Sequence, residues 1–227
     1  MRIDALDHVA LWVADRDRLA GFLLEALDVH VVDRTDTFTI VGAEGRRGKL
    51  TLFAADGPRE PGPLAGIGFR VDSVESAVSR LPRGVRPEQT GEGEVSFAAP
   101  EGLRLTLVEG PGDVEYDLDH VALVVTDVPS VHERLATLGF DASEDGLKAG
   151  AAGVRLVQGA PIETDRPLLN HLGLLVKSAD QHLEEARERG LEIADVVDAP
   201  NTYAVFVWGP ERIKLEYVEH KPTFSLT

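Results

Sequence analysis

The chain has no cysteine and a single methionine in 227 residues. Without thiols there is no disulfide scaffold, no thiolate nucleophile and no cysteine-held zinc or iron–sulfur cluster, so any metal must bind through histidine and carboxylate. Lysine is also scarce: five residues, at 49, 148, 177, 214 and 221, among 23 bases, set against 39 acids for a net charge of −16. So acidic a surface repels phosphate backbones and anionic headgroups, which argues against nucleic acid and membranes as partners. Long apolar runs are missing too, and none approaches the roughly 20 residues that span a bilayer. The first residues, Met1 to Asp17, carry acids where a signal peptide needs a basic start and an apolar middle, so a cytoplasmic location is expected. With 43% hydrophobic and 27% charged residues the chain is globular rather than disordered. Its length fits two domains of roughly 110 residues each.

What is present is repetition. Leu6-Asp7-His8-Val9-Ala10-Leu11 recurs identically as Leu118-Asp119-His120-Val121-Ala122-Leu123, an offset of 120 − 8 = 112. The segment from Pro100-Glu101 to Glu109 lies against that from Pro210-Glu211 to Glu219 at 219 − 109 = 110. Two anchors at nearly one offset imply a duplicated domain, with a turn-forming linker at Gly110-Pro111-Gly112 and the residues up to Tyr116. Each half divides again. Alternating strands begin near His8, Gly66, His120 and His171, and each leads into a short helix with apolar residues at helical spacing, such as Leu19, Leu23 and Leu27 or Val131, Leu135 and Leu138. Short β-rich runs follow, among them Lys49 to Phe53 and Ala204 to Trp208. The unit reads as βαβββ, four times over.

Four βαβββ units with an Asp-His-Val-Ala-Leu first strand and a closing strand that runs from Pro-Glu to a second acid resemble the vicinal oxygen chelate superfamily, which includes glyoxalases, bleomycin resistance proteins and extradiol dioxygenases. The resemblance spans about residues 4 to 220. It implies an α+β fold in which tandem βαβββ modules form two cupped-sheet domains with helices on the outer faces. The expected domains are 1–112, without a metal site, and 117–220, with one, followed by a tail at 221–227. Strand alternation agrees with this geometry: Glu216 lies opposite the apolar face of Ile213, Leu215 and Tyr217, and His120 and His171 share their faces with small neighbours.

Carried over residue by residue, the family's ligand positions fall on His120, His171 and Glu216. Two imidazoles and one carboxylate on a divalent ion, Fe(II) first and Mn(II) next, leave adjacent positions open for substrate and dioxygen. The matching first-half positions are His8, Gly66 and Thr106, which offer one donor, so His8 is read as a relic and the first half as a scaffold or part of a dimer surface, consistent with a homo-oligomer. The resemblance thus implies an extradiol-type dioxygenase acting on a catecholic or related oxygenated substrate. The alternatives are a glyoxalase-like lyase or isomerase and a metal-free small-molecule-binding resistance protein. Glyoxalase-type members use a fourth, acidic ligand, for which the strand Gly153 to Gln158 offers only Gln158. Extradiol members place a tyrosine acid/base where Phe206 stands. Tyr203, in a loop-like segment, and His220, which shares the strand parity of Glu216, are the candidate substitutes. His30, His132 and His182 are read as solvated or packing residues, and Lys214 and Arg155 as balancing the acidic surface rather than meeting an anionic substrate.

Overall fold

The structure, a computed structural model, describes residues 1–143 and 146–225. The four modules are present. The first contains β1 (Ala5–Val13), α1 (Arg16–Ala26), β2 (His30–Arg34), β3 (Phe38–Gly42) and β4 (Lys49–Ala54). The second contains β5 (Leu64–Val71), α2 (Val74–Ser79), β6 (Glu88–Gly91), β7 (Glu94–Ala98) and β8 (Arg104–Glu109). The third contains β9 (Leu118–Val125), α3 (Val128–Thr137), β10 (Asp141–Ser143), β11 (Gly146–Ala149) and β12 (Ala152–Gln158). The fourth contains β13 (Leu169–Leu175), α4 (Ala179–Glu188), β14 (Ile193–Asp198), β15 (Thr202–Trp208) and β16 (Lys214–His220). Each of α1 to α4 starts where a side chain accepts from an otherwise unpaired amide three residues on: Asp15 from Arg18, Ser73 from Ser76, Asp127 from Ser130 and Ser178 from Gln181. No helix among the described residues is long and apolar enough to cross a membrane.

The strands build two eight-stranded sheets, ordered β14-β15-β16-β13-β1-β4-β3-β2 and β10-β11-β12-β9-β5-β8-β7-β6. The α+β fold of four modules in two cupped sheets is therefore as expected from the sequence. The division into contiguous halves is not. Residues 1–112 and 117–220 each contribute one module to each sheet: the first and fourth modules pair through antiparallel β1 and β13, the second and third through antiparallel β5 and β9.

The linkers explain this pairing. After β8 the chain turns back at once beside β5, where the Tyr116 amide donates to the Arg70 carbonyl (2.7 Å) and the Arg70 amide to the Asp117 carbonyl (2.9 Å), so β9 starts next to β5. The segments from β4 to β5 and from β12 to β13 run side by side between the sheets. There the Glu60 amide donates to the Arg166 carbonyl (3.1 Å) and the Leu168 amide to the Glu60 carbonyl (2.6 Å). With the middle modules closed on each other, β1 has β13 as its antiparallel partner.

The repeated Pro-Glu segments latch the sheets together. Glu101, in a left-handed conformation with φ 64°, accepts from the Ala14 and Asp15 amides at the start of α1; Glu211, φ 50°, accepts from the Thr126 and Asp127 amides at the start of α3. Each carboxylate thus belongs to one sheet and caps a helix carried by the other, where an anion also suits the helix dipole. The core consists of the strand residues facing the helices, including Val9, Leu11, Ile67, Leu105, Val121, Leu172, Leu174 and Leu215.

The topology has a direct consequence for dissection. Residues 1–112 expressed alone leave β1 and β5 without antiparallel partners, and should give no folded monomer on size-exclusion chromatography, while mixing with residues 113–227 should yield a one-to-one complex. A 1–112 fragment that unfolds cooperatively as a monomer would contradict the interleaved sheets.

Candidate metal centre

β1 and β13 meet at the centre of the first sheet, and their histidines face each other across it. His8 lies opposite Gly173, and His171 opposite Ala10. In parallel register, Gly173 is level with Glu216 on β16 and Ala10 with Thr51 on β4. The two histidines are thus related by an approximate twofold, and Thr51 holds on β4 the place that Glu216 holds on β16. Tyr217 faces the helices, stacked on His182, and alternation then directs Glu216 into the cup.

Three donor atoms converge there. His8 Nε2 lies 3.0 Å from His171 Nε2, and Glu216 Oε2 lies 3.0 Å from each. All three residues are buried, and Glu216 Oε2 has no hydrogen-bond partner. Among the described residues this is the one group of three or more metal-ligating side chains whose donors approach so closely. Two donors at right angles on bonds of about 2.1 Å stand about 3.0 Å apart, so the triangle fits one face of an octahedral cation.

The surroundings prepare His8 for such a role. In β1, Leu6 pairs with Leu174 and His8 with Gly173, so Asp7 is the extra residue of a β-bulge. The bulge brings Asp7 onto the side of its neighbour. His8 Nδ1 donates to Asp7 Oδ2 (2.7 Å), which fixes the tautomer and leaves Nε2 free to ligate, as is usual for metal-binding histidines. Asp7 is held in turn by Lys49 Nζ (2.9 Å to Oδ1) and by His220 Nε2 (2.9 Å to the same oxygen). Gly173 makes room for the ring: a Cβ there would lie 2.3 Å from His8 Cε1.

Electrostatics follows from this packing. Burial opposes ionisation of Glu216, but His171 and His8 hold it down to about 2. Burial likewise opposes charge on His8, yet the Glu216 and Asp7 carboxylates raise it to about 9, while burial lowers His171. Asp7 ionises far more readily than an ordinary carboxyl: burial works against it, and Lys49, His220 and His8 overcome that. The cluster demands positive charge, which a proton on His8 supplies in the metal-free protein.

Of the expected ligands, His171 and Glu216 come together and His120 does not join them. His120 lies on β9 in the other sheet, hydrogen-bonded through Nδ1 to Asp119 (2.9 Å). It repeats the same local arrangement, with Asp119 as the bulge residue and Gly68 opposite, where a Cβ would fall 2.2 Å from the ring. Its companions by register are Gly66 and Thr106, so the second cup lacks two of the three donors. His8, read as a relic, is the residue that completes the site. Tyr203 is not over the cup. It alternates with Ala204 and Phe206 and faces the α4 side, where Asp180 hydrogen-bonds it. His220 supports the site through Asp7 rather than reaching the three donors, and its ring stacks on Phe224 at 3.8 Å. Phe206 lies directly across from Glu216 and packs edge-on against His171 at 5.1 Å. Asp7, Lys49 and Thr51 were not singled out from the sequence. Their signal was the Asp-His pair, which carries its own carboxylate orienter next to the ligand.

Residues 5–105 match the family model described as Glyoxalase/Bleomycin resistance protein/Dioxygenase superfamily. No curated protein matches the chain. Among solved structures, a candidate dioxygenase from Bacillus subtilis is 19% identical with a TM-score of 0.81, over 98% of this chain and 87% of that one. Glyoxalase I from Zea mays is 17% identical with a TM-score of 0.72, over 96% and 92%. The cppA protein from Streptococcus pneumoniae TIGR4 is 14% identical with a TM-score of 0.62, over 96% and 97%. At these identities the likeness is one of fold. Residues 5–105 are thus similar to the glyoxalase/bleomycin resistance protein/dioxygenase superfamily, and the whole chain shares the fold of these structures.

Two measurements check the assignment. His8→Ala should abolish stoichiometric binding of a divalent metal in equilibrium dialysis, and His120→Ala should leave it intact; the reverse result would restore His120 as the ligand. The second concerns Asp119, which burial would keep neutral but which His120 and Arg70 hold at about 2. Because that value lies below the unfolded one, its contribution is present above about pH 4 and lost as pH falls toward about 2. Asp119→Asn should therefore unfold in urea with a deficit of roughly 1–2 kcal/mol at neutral pH that closes over that acid range. A deficit independent of pH would show that the charge is not what stabilises.

Proposed function

We propose that the chain is a dioxygenase of the extradiol type that uses one Fe(II), with Mn(II) next in preference, and acts on a catecholic or related oxygenated small molecule. The observation that carries this reading is the donor count: His8, His171 and Glu216 converge, and the fourth corner of the cup is the neutral hydroxyl residue Thr51. Three ligands of this type suit a hard or borderline divalent cation and leave neighbouring positions for a diol and for dioxygen. When bound, the metal supplies a Lewis acid and a place for oxygen to be activated.

The chain's own residues do the rest. Glu216 brings the one negative charge among the ligands, and Asp7, held by Lys49 and His220, keeps His8 in the ligating tautomer. The cup wall is aromatic: Phe53 lies 6.3 Å from the His171 ring, with Trp12 at 5.4 Å and Phe38 at 5.8 Å from Phe53, and Phe206 closes the other side. Such a wall packs against an aromatic ring and keeps water from the donors. Phe206 favours one competing reading. A phenol there would move the diol proton, and phenylalanine cannot, so a lyase or isomerase that polarises a carbonyl is the second reading.

Oxygen uptake distinguishes the two. The Fe(II)-loaded protein should consume one dioxygen per catechol cleaved, and Glu216→Gln should lower metal affinity and uptake together by about a hundredfold, a neutral amide replacing the anionic ligand. Tyr203→Phe should leave uptake unchanged, since that phenol faces α4. A metal-loaded protein that consumes no oxygen on any diol but exchanges a proton beside a carbonyl would replace the dioxygenase with the lyase or isomerase.

A further inference from the structure

A cavity of about 530 Å³ opens at one end of the first cup, lined by Trp12, Asn170, Trp208, Lys214 and the linker that includes Pro161 and Ile162. It begins where the donor triad ends. Asn170 directly precedes His171, Lys214 stands two residues before Glu216 on the same face of β16, and Trp208 lies opposite Lys214 on β15. Two residues along a strand correspond to about 7 Å, which is close to the length of a ring with one substituent.

Lys214 is unusual among the groups in this cup. Its counterpart under the approximate twofold is Lys49, level with His8 and neutralised by Asp7 at 2.9 Å. Lys214 Nζ instead donates to Asn170 Oδ1 (3.2 Å) and lies 5.4 Å from the centre of the Trp208 ring. Among the described residues no carboxylate is within ion-pairing distance of it. Three acids, Glu163, Asp165 and Glu211, line the same cavity, but Glu163 and Asp165 are exposed at its outer lip and Glu211 is engaged in capping α3. Charge on the lip is screened by water, whereas a half-buried cation inside keeps most of its reach. Arg212 lies 4.0 Å from the Trp208 ring centre on its way to Glu192, which fixes the indole as a wall.

We propose that Lys214 is a specificity-determining residue and that the substrate of this site is an aromatic diol carrying a carboxylate, whose ring lies between Trp12 and Trp208 and whose carboxylate pairs with Lys214 Nζ. The inference rests on the diol reading of the metal centre. It accounts for a half-buried lysine without an ion-pair partner among the described residues, in a chain with few lysines and a large excess of acids, because an anionic substrate approaching so negative a protein needs a local cation to hold it.

Binding measured without oxygen tests it. With Mn(II)-loaded protein under anaerobic conditions, 3,4-dihydroxybenzoate should bind at least tenfold more tightly than 4-methylcatechol, Lys214→Met should bring the ratio to about one, and Lys214→Arg should keep part of it. On metal-stripped protein, benzoate against benzamide reads the anionic end alone, and the preference should again vanish in Lys214→Met. A wild-type ratio at or below one in both pairs, or a preference that survives Lys214→Met, would overturn the proposal. A carboxylate preference that depends on Lys214, in a protein that consumes no oxygen with either diol, would instead remove the dioxygenase reading and leave the anion site standing.

Discussion

The antiparallel pairing of β1 with β13 is the contact on which the rest depends. It joins the two outermost modules into one sheet, sets His8 and His171 against each other at hydrogen-bonding distance, and places β4 and β16 as symmetric flanks. Without it neither histidine has a second donor nearby. The bulge at Asp7 belongs to the same pairing, because the extra residue lets a carboxylate and an imidazole from adjacent positions serve one face.

Duplication followed by divergence is visible in the two cups. Both keep an Asp-His bulge against a glycine on the neighbouring strand, at His8 with Gly173 and at His120 with Gly68. The second cup replaces the other two donors by Gly66 and Thr106, and its Asp119 is bound to Arg70 rather than to a lysine and a histidine. The shared geometry therefore serves packing in one sheet and brings three donor atoms together in the other. Bulge, glycine and imidazole form a structural unit whose chemistry is decided by what β13 and β16, or β5 and β8, bring beside it.

Most of the fold was legible in the sequence, since the repeat, the helix spacing and the strand alternation are local signals. The facing of Glu216 and the match between the positions of His8 and His120 could also be read from parity and offset. Which histidine joins His171 could not. Leu6 to Leu11 and Leu118 to Leu123 are identical, so no residue within the motif distinguishes them, and the choice is made by the paths of three linkers with similar Gly- and Pro-rich composition. Two placements follow from strand parity. Tyr203 and Phe206 are an odd number of positions apart on one strand, so they face opposite sides. Lys214 shares the parity of Glu216, which places it inside the cup rather than on the surface.

The donors come from distant parts of the sequence, and the paired histidines are 163 positions apart. At ribosomal speeds of roughly 5–20 residues per second, β1 spends on the order of ten seconds or more emerged before its partner strand exists. Over that interval the second and third modules can close their own sheet around β5 and β9, while β1 keeps an open edge. Synthesis therefore delivers the scaffold before the donor triad. Proteins that bind exposed strand edges have a defined window in which to act on this chain, and the three donors cannot converge until Glu216 has been synthesised.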